Sequence, residues 1–147
     1  MSTQLFVYGT LMVPEVMDRV SGFRQPGEPA LLHDYRRRRL SGELYPAILR
    51  WPGDRVEGLL YRGLDPVHLE ALDAFEGAIY RRVTVAVDVR AGRLRAQAYA
   101  LRDDRRHLLG DEPWSLQRFV TEGLSRFVAS YPGMARRRAP DVADERH

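Results

Sequence analysis

A chain of 147 residues, 44% apolar and 29% charged, has the size and composition of one compact globular domain with a sizeable core. Its 23 basic side chains are all arginine and exceed the 20 acidic ones by three, too small an excess to imply nucleic acid on charge alone. The lack of cysteine and lysine excludes disulfides, thiolate zinc sites, cysteine nucleophiles, Schiff-base lysines and a P-loop lysine, and an intracellular location is expected.

Residues 4–8 (QLFVY) read as a short strand that breaks at Gly9. Pro14 to Met17 open a short helix that ends near Ser21-Gly22, and residues 23–29 read as loop from their Pro and Gly content. Residues 30–50 hold one or two irregular strands, with Pro46 marking an edge or a bulge. A further strand is expected over residues 55–62. Asp65-Pro66 is a helix start, with Asp as N-cap and Pro in the first turn; Leu69, Leu72 and Phe75 share a face, and Gly77 stops the helix. Residues 79–89 alternate valine with polar or small residues, turn at Ala91-Gly92, and return as residues 94–101 to make a hairpin. Residues 113–131 read as an amphipathic helix begun by Pro113, its stripe running from Leu116 through Phe119, Val120, Leu124 and Phe127 to Val128.

The pattern predicts a single α+β domain over residues 1–135 and a polar, disordered tail over residues 136–147. A small, mostly antiparallel sheet or barrel flanked by helices is the expected architecture. No run approaches the roughly 18 apolar residues of a membrane span, and the N-terminus lacks the basic and apolar regions of a secretory leader.

Glu76 is the leading candidate for chemistry. It stands at the end of a predicted helix, where the dipole disfavours an anion, between Phe75 and the Gly77-Ala78-Ile79 run. That setting raises a carboxyl pKa and suits a group that both takes and gives a proton; a solvated surface glutamate is the plainer alternative. Tyr80 and Arg82 follow on one strand face, and Arg82 reads either as a fork for a substrate carboxylate or as a structural arginine. In Tyr8-Gly9-Thr10-Leu11, a positive φ at Gly9 would expose backbone amides to an anion or oxyanion. The four histidines, His33, His68, His107 and His147, have no paired spacing, so no metal site is expected. Arg36 to Arg39 read as a solvated strand edge, with phosphate contact as the alternative.

Taken in order, "FVYGTL", "YPAI", "VEGLLY" and "LEALDAFEGAIYRRVTV" resemble the gamma-glutamylcyclotransferase-like proteins over residues 4–101. Tyr-Gly-Thr-Leu in the first loop is closer to the gamma-glutamylamine cyclotransferase branch than the Tyr-Gly-Ser-Asn of glutathione-directed relatives. The resemblance implies a small mixed β-barrel with a cavity at its mouth. It also implies a reaction without metal or cofactor, in which the α-amine of a gamma-glutamyl compound attacks its own γ-carbonyl and yields 5-oxoproline. Glu76 would be the catalytic acid/base, the amides of Tyr8, Gly9, Thr10 and Leu11 would hold substrate, and Tyr45, Tyr80 and Arg82 would complete the binding site. The expected partner is a small gamma-glutamyl molecule, with no nucleic acid or membrane; a non-catalytic ligand-binding or interaction protein on the same scaffold is the alternative.

Overall fold

The structure, a computed structural model, describes residues 2–130, so the expected tail over residues 136–147 lies outside the described residues. Strand β1 (Thr3–Val7) is buried on both faces because it lies between two cores. Leu5 and Val7 pack against the helices, while Phe6 packs inside the sheet with Leu32, Ile48, Val56, Leu60 and Val87. Period-two alternation of a strand produces this split. A 3-10 turn over Thr10–Met12 leads into α1 (Pro14–Ser21).

Strands β2 (Glu28–Arg39) and β3 (Pro46–Leu64) form the largest antiparallel pairing. The end of the irregular strand region expected over residues 30–50 and the strand expected over residues 55–62 join in one 19-residue strand. The register shifts where residues 51–54 swing out opposite Asp34, whose Oδ1 accepts from Gly53 N at 2.9 Å. Pro46 opens β3, a position that needs no ladder N–H. Glycine is required at Gly58, where a Cβ would lie 2.2 Å from the Val7 carbonyl and 2.7 Å from the Phe6 ring. This lets β1 lie directly on β3.

Helix α2 (Pro66–Glu76) starts at Asp65, whose amide donates to His68 Nδ1 at 2.9 Å, and ends at Gly77. Strands β4 (Tyr80–Val89) and β5 (Gly92–Leu101) form the expected hairpin. The sheet order is β1-β3-β2-β4-β5, and it closes because β5 also pairs with β1. That last pairing, Leu5↔Gln97 and Phe6↔Ala98, is parallel; the others are antiparallel. The class is therefore the expected α+β.

The C-terminal helix differs from its expected form. Ser115 caps it, its side chain accepting from Arg118 N at 3.1 Å, so the start is α3 (Leu116–Arg118) and not Pro113. A π turn over Phe119–Gly123 follows, then α4 (Leu124–Ser130). The wider π turn changes the angular spacing of the stripe. Phe119 and Phe127 are buried while Val120 is 45% exposed, outside the stripe where the sequence pattern places it.

Candidate active site

The break after β1 is a turn whose carbonyls are all occupied. Tyr8 O accepts from Arg37 Nη1 at 2.8 Å, and Leu11 O accepts from the Tyr61 hydroxyl at 2.8 Å. Gly9 O and Thr10 O accept from Met12 N and Val13 N at 2.9 and 3.1 Å. The amides of Gly9, Thr10 and Leu11 precede these bonds and have no partner within the turn, as at any helix start. The polar groups the turn has left to offer are therefore donors. Gly9 itself has φ −138°, so the expected positive φ is corrected. Its lack of a side chain serves close packing: a Cβ would lie 2.8 and 2.9 Å from Pro46 Cγ and Cδ.

Arg37 also corrects the reading of Arg36 to Arg39 as a solvated edge. It is half-buried, holds the carbonyls of Tyr8 and Glu57, and lies over the Trp114 ring at 5.3 Å. Burial lowers its pKa from the ordinary arginine value. Arg36 stacks on Trp51 at 4.1 Å and pairs with Asp54. Arg39 pairs with Glu112 and donates to Glu43 O. The run is committed to contacts within the chain.

Glu76 ends α2 beside this turn. Among the described residues no group hydrogen-bonds its carboxyl, which faces a cavity and keeps some accessible surface for that reason. Burial, and secondarily the charge of Asp73 one turn earlier, pushes its pKa up to about 8. Asp73 itself is fully partnered. It accepts from the Tyr99 hydroxyl at 2.7 Å and from Arg82 Nε and Nη2 at 2.9 and 3.2 Å. Arg82 therefore does not line the cavity. Its guanidinium fork closes on Asp73, which corrects the expectation that it reaches substrate.

Tyr8, Gly9, Thr10, Leu11, Tyr45, Tyr80 and Glu76 do line one cavity of about 340 Å³, large enough for a small-molecule ligand. Tyr80 donates to Pro46 O at 2.8 Å and Tyr8 to Tyr99 O at 2.5 Å, so the two rings are fixed from opposite walls. Burial, chiefly, holds the phenols of Tyr8, Tyr80 and Tyr99 well above the ordinary tyrosine value, so they stay protonated as donors at neutral pH. The reading of the sequence missed Glu43, Leu44, Tyr99 and Phe127 as lining residues. Tyr99 arrives through the parallel β1/β5 pairing, and Phe127 through the C-terminal helix. Phe127 stacks edge-on with Phe75 and Tyr45 at 6.1 and 6.4 Å. Neither has a local signal beyond its place in an apolar pattern.

This arrangement has counterparts. The chain is 30% identical over 138 residues to Protein AIG2 C of Arabidopsis thaliana, covering 90% of this chain and 81% of that protein. The solution structure of an Arabidopsis thaliana protein superposes with a TM-score of 0.68 at 28% identity, covering 94% of this chain and 84% of that one. A solved structure named gamma-glutamyl cyclotransferase shares the fold, with a TM-score of 0.59 at 21% identity over 69% of this chain and 68% of that one. The sequence model of the family described as "Gamma-glutamyl cyclotransferase, AIG2-like" matches residues 5–116, a stretch containing the turn, Glu43, Tyr45, Glu76, Tyr80 and Tyr99. The chain belongs to that family.

Proposed function

We propose that the protein is a gamma-glutamyl cyclotransferase that converts a gamma-glutamyl compound to 5-oxoproline and a free amine or amino acid. The observation that carries this reading is a single one: the Glu76 carboxyl, unpartnered among the described residues, and the Tyr8–Leu11 turn line the same cavity. The substrate supplies its own nucleophile and electrophile, so the protein must fold one chain into a ring-closing pose and move protons.

Glu76 takes a proton from the substrate α-ammonium, which is inert as a nucleophile until it does so. The freed nitrogen attacks the γ-carbonyl carbon, forming the ring C–N bond and an oxyanion. The amides of the turn are suited to that oxyanion or to the substrate α-carboxylate. Collapse breaks the bond to the leaving nitrogen, which takes the proton held by Glu76; the regenerated carboxylate takes the second proton from the ring nitrogen and passes it to the released amine, leaving a neutral lactam and an ammonium. A pKa of about 8 places the carboxyl near the range where it can both accept and return a proton. The phenols of Tyr8 and Tyr80 flank the path as fixed walls.

Purified protein is incubated with gamma-glutamyl amides and gamma-glutamyl amino acids, and 5-oxoproline is measured. Turnover is expected from at least one class and is expected to collapse in Glu76→Gln. Turnover that persists unchanged in that variant would sink the mechanism. A non-catalytic binding role predicts a Glu76 turned away from the Gly9 turn, and its place in the cavity favours the catalytic reading.

A further inference from the structure

The Asp73 carboxylate is gripped from two neighbouring strands at once. Arg82 on β4 and Tyr99 on β5 are cross-strand partners in the hairpin, so their side chains stand together on one face. From there the Arg82 fork donates to both Asp73 oxygens at 2.9 and 3.2 Å, and the Tyr99 hydroxyl donates to Oδ1 at 2.7 Å. The backbone carbonyl of Tyr99 in turn accepts from the Tyr8 hydroxyl, at the head of the first turn. Asp73 lies one helical turn before Glu76 on α2, a spacing that makes the two carboxyls neighbours on the helix surface. One clamp thus joins the end of α2, the hairpin and the turn that shares the cavity with Glu76.

Stability alone does not account for this clamp. The Arg82 and Asp73 side chains keep 32% and 47% of their surface exposed, and ion pairs that open to water add little to stability. The consequence on the cavity side is larger. After burial, the Asp73 charge is what most disfavours an ionised Glu76. The other ionisable groups around Glu76 are the phenols of Tyr8, Tyr45, Tyr80 and Tyr99, all held protonated at neutral pH, and Glu43, which lines the same cavity. Among the described residues no cation lines that cavity. The charge that offsets Asp73 therefore comes from outside it, where Asp73 shares a shallow depression with Arg82 and Glu70. Resting on the cyclisation reading above, we propose that Arg82 is a positioning residue of that reaction: through its fork on Asp73 it offsets the charge facing Glu76 and holds the end of α2 against the turn. Arg82 touches neither substrate nor reacting atoms, and it gains and loses no proton in the cycle.

Two readouts test this: the pH dependence of kcat/KM for 5-oxoproline formation, and the titration of the Glu76 carboxyl carbon followed by NMR in the protein without substrate. Arg82→Gln, which removes the charge and keeps an amide donor, should move both toward alkali by about half a pH unit, a roughly threefold loss of kcat/KM at pH 7 that vanishes in alkali. Arg82→Lys restores the charge and should return both to the wild-type position. Asp73→Asn should move both toward acid. In that background Arg82→Gln should add little, since no other group among the described residues holds the guanidinium in place. Tyr99→Phe loosens the same clamp without removing its charge; it should move both as Arg82→Gln does but by less, and it keeps the test open should Arg82→Gln fail to fold. A merely structural arginine predicts that Arg82→Gln lowers kcat/KM equally at every pH. That result, an NMR titration that stays in place, or the same shift with and without the Asp73 charge overturns the inference and leaves cyclisation standing. Absence of 5-oxoproline from every gamma-glutamyl substrate overturns the cyclisation reading and, with it, the role assigned to Arg82.

Discussion

Strand β4 has a carboxylate near each end, and the two are treated oppositely. Near its far end Asp88 accepts from Arg93 Nε at 2.8 Å and meets His33 Nε2 at 2.9 Å. Those hydrogen bonds hold its carboxyl below the usual aspartate range. At its near end Glu76 precedes Tyr80 with no such partner, and burial raises its pKa to about 8. The difference is one of partner supply. Where a charge joins strands, the fold surrounds it with cations; at the carboxyl to which the proposed reaction assigns a moving proton, none is placed among the described residues.

The largest expected effect breaks this contrast at the cavity end. Glu76→Gln should lower turnover by about 10²–10⁴-fold, the usual range for one general acid–base group. Its stability should move the other way. A carboxyl raised in the folded state has its full stability below the unfolded value of 4.5 and loses it as pH rises to about 8. Removing the group should therefore stabilise the protein at pH 8.5 by about 1–3 kcal/mol, a discounted figure because the carboxyl faces an open cavity, and leave pH 4 unchanged. Denaturant titrations at the two pH values check the sign. For the wild type, kcat/KM should rise with a limb near pH 8 as Glu76 ionises.

Next in size is Gly9→Ala. Its Cβ would push on the Pro46 ring. The expected loss is about 1–3 kcal/mol of stability by overpacking, with a drop in turnover as the turn shifts. An Ala variant with wild-type melting and kinetics would show that the close contact is idle. Asp73→Asn sharpens the comparison on a single helix. Without the Asp73 charge the pH limb of Glu76 should move toward acid by less than the effect of burial, which is the larger cause. The smallest effect belongs to Asp88→Asn, an exposed group. Its contribution is present above the ordinary aspartate value of 3.8 and fades in acid, so turnover at neutral pH should match wild type.

The sequence made the local elements legible and the long contacts opaque. Alternation in β4 and β5 and the Asp65-Pro66 start of α2 are short-range signals, and they located Glu76 at a helix end beside apolar residues. Its raised pKa was readable from that position. Three features were not. Arg37 looks like one of four solvated arginines, yet it holds a carbonyl 29 residues away. Arg82 looks available to substrate until Asp73, nine residues earlier on α2, closes on it. Gly9 looks like a conformational hinge and is instead a space-saving contact with Pro46. Each depends on which strands become neighbours, above all the parallel β1/β5 pairing, and no local pattern encodes that.

The family match ends at residue 116, where the C-terminal helix begins, yet Phe127 on that helix forms part of the cavity wall. In the cyclisation proposed above, the residues assigned to proton transfer and to holding the glutamyl group lie within the matched stretch, while part of the wall beside them comes from the helix that follows it. Under that proposal, substitutions confined to the last helix reshape one wall of the cavity while leaving the Glu76 carboxyl and the Tyr8–Leu11 turn in place.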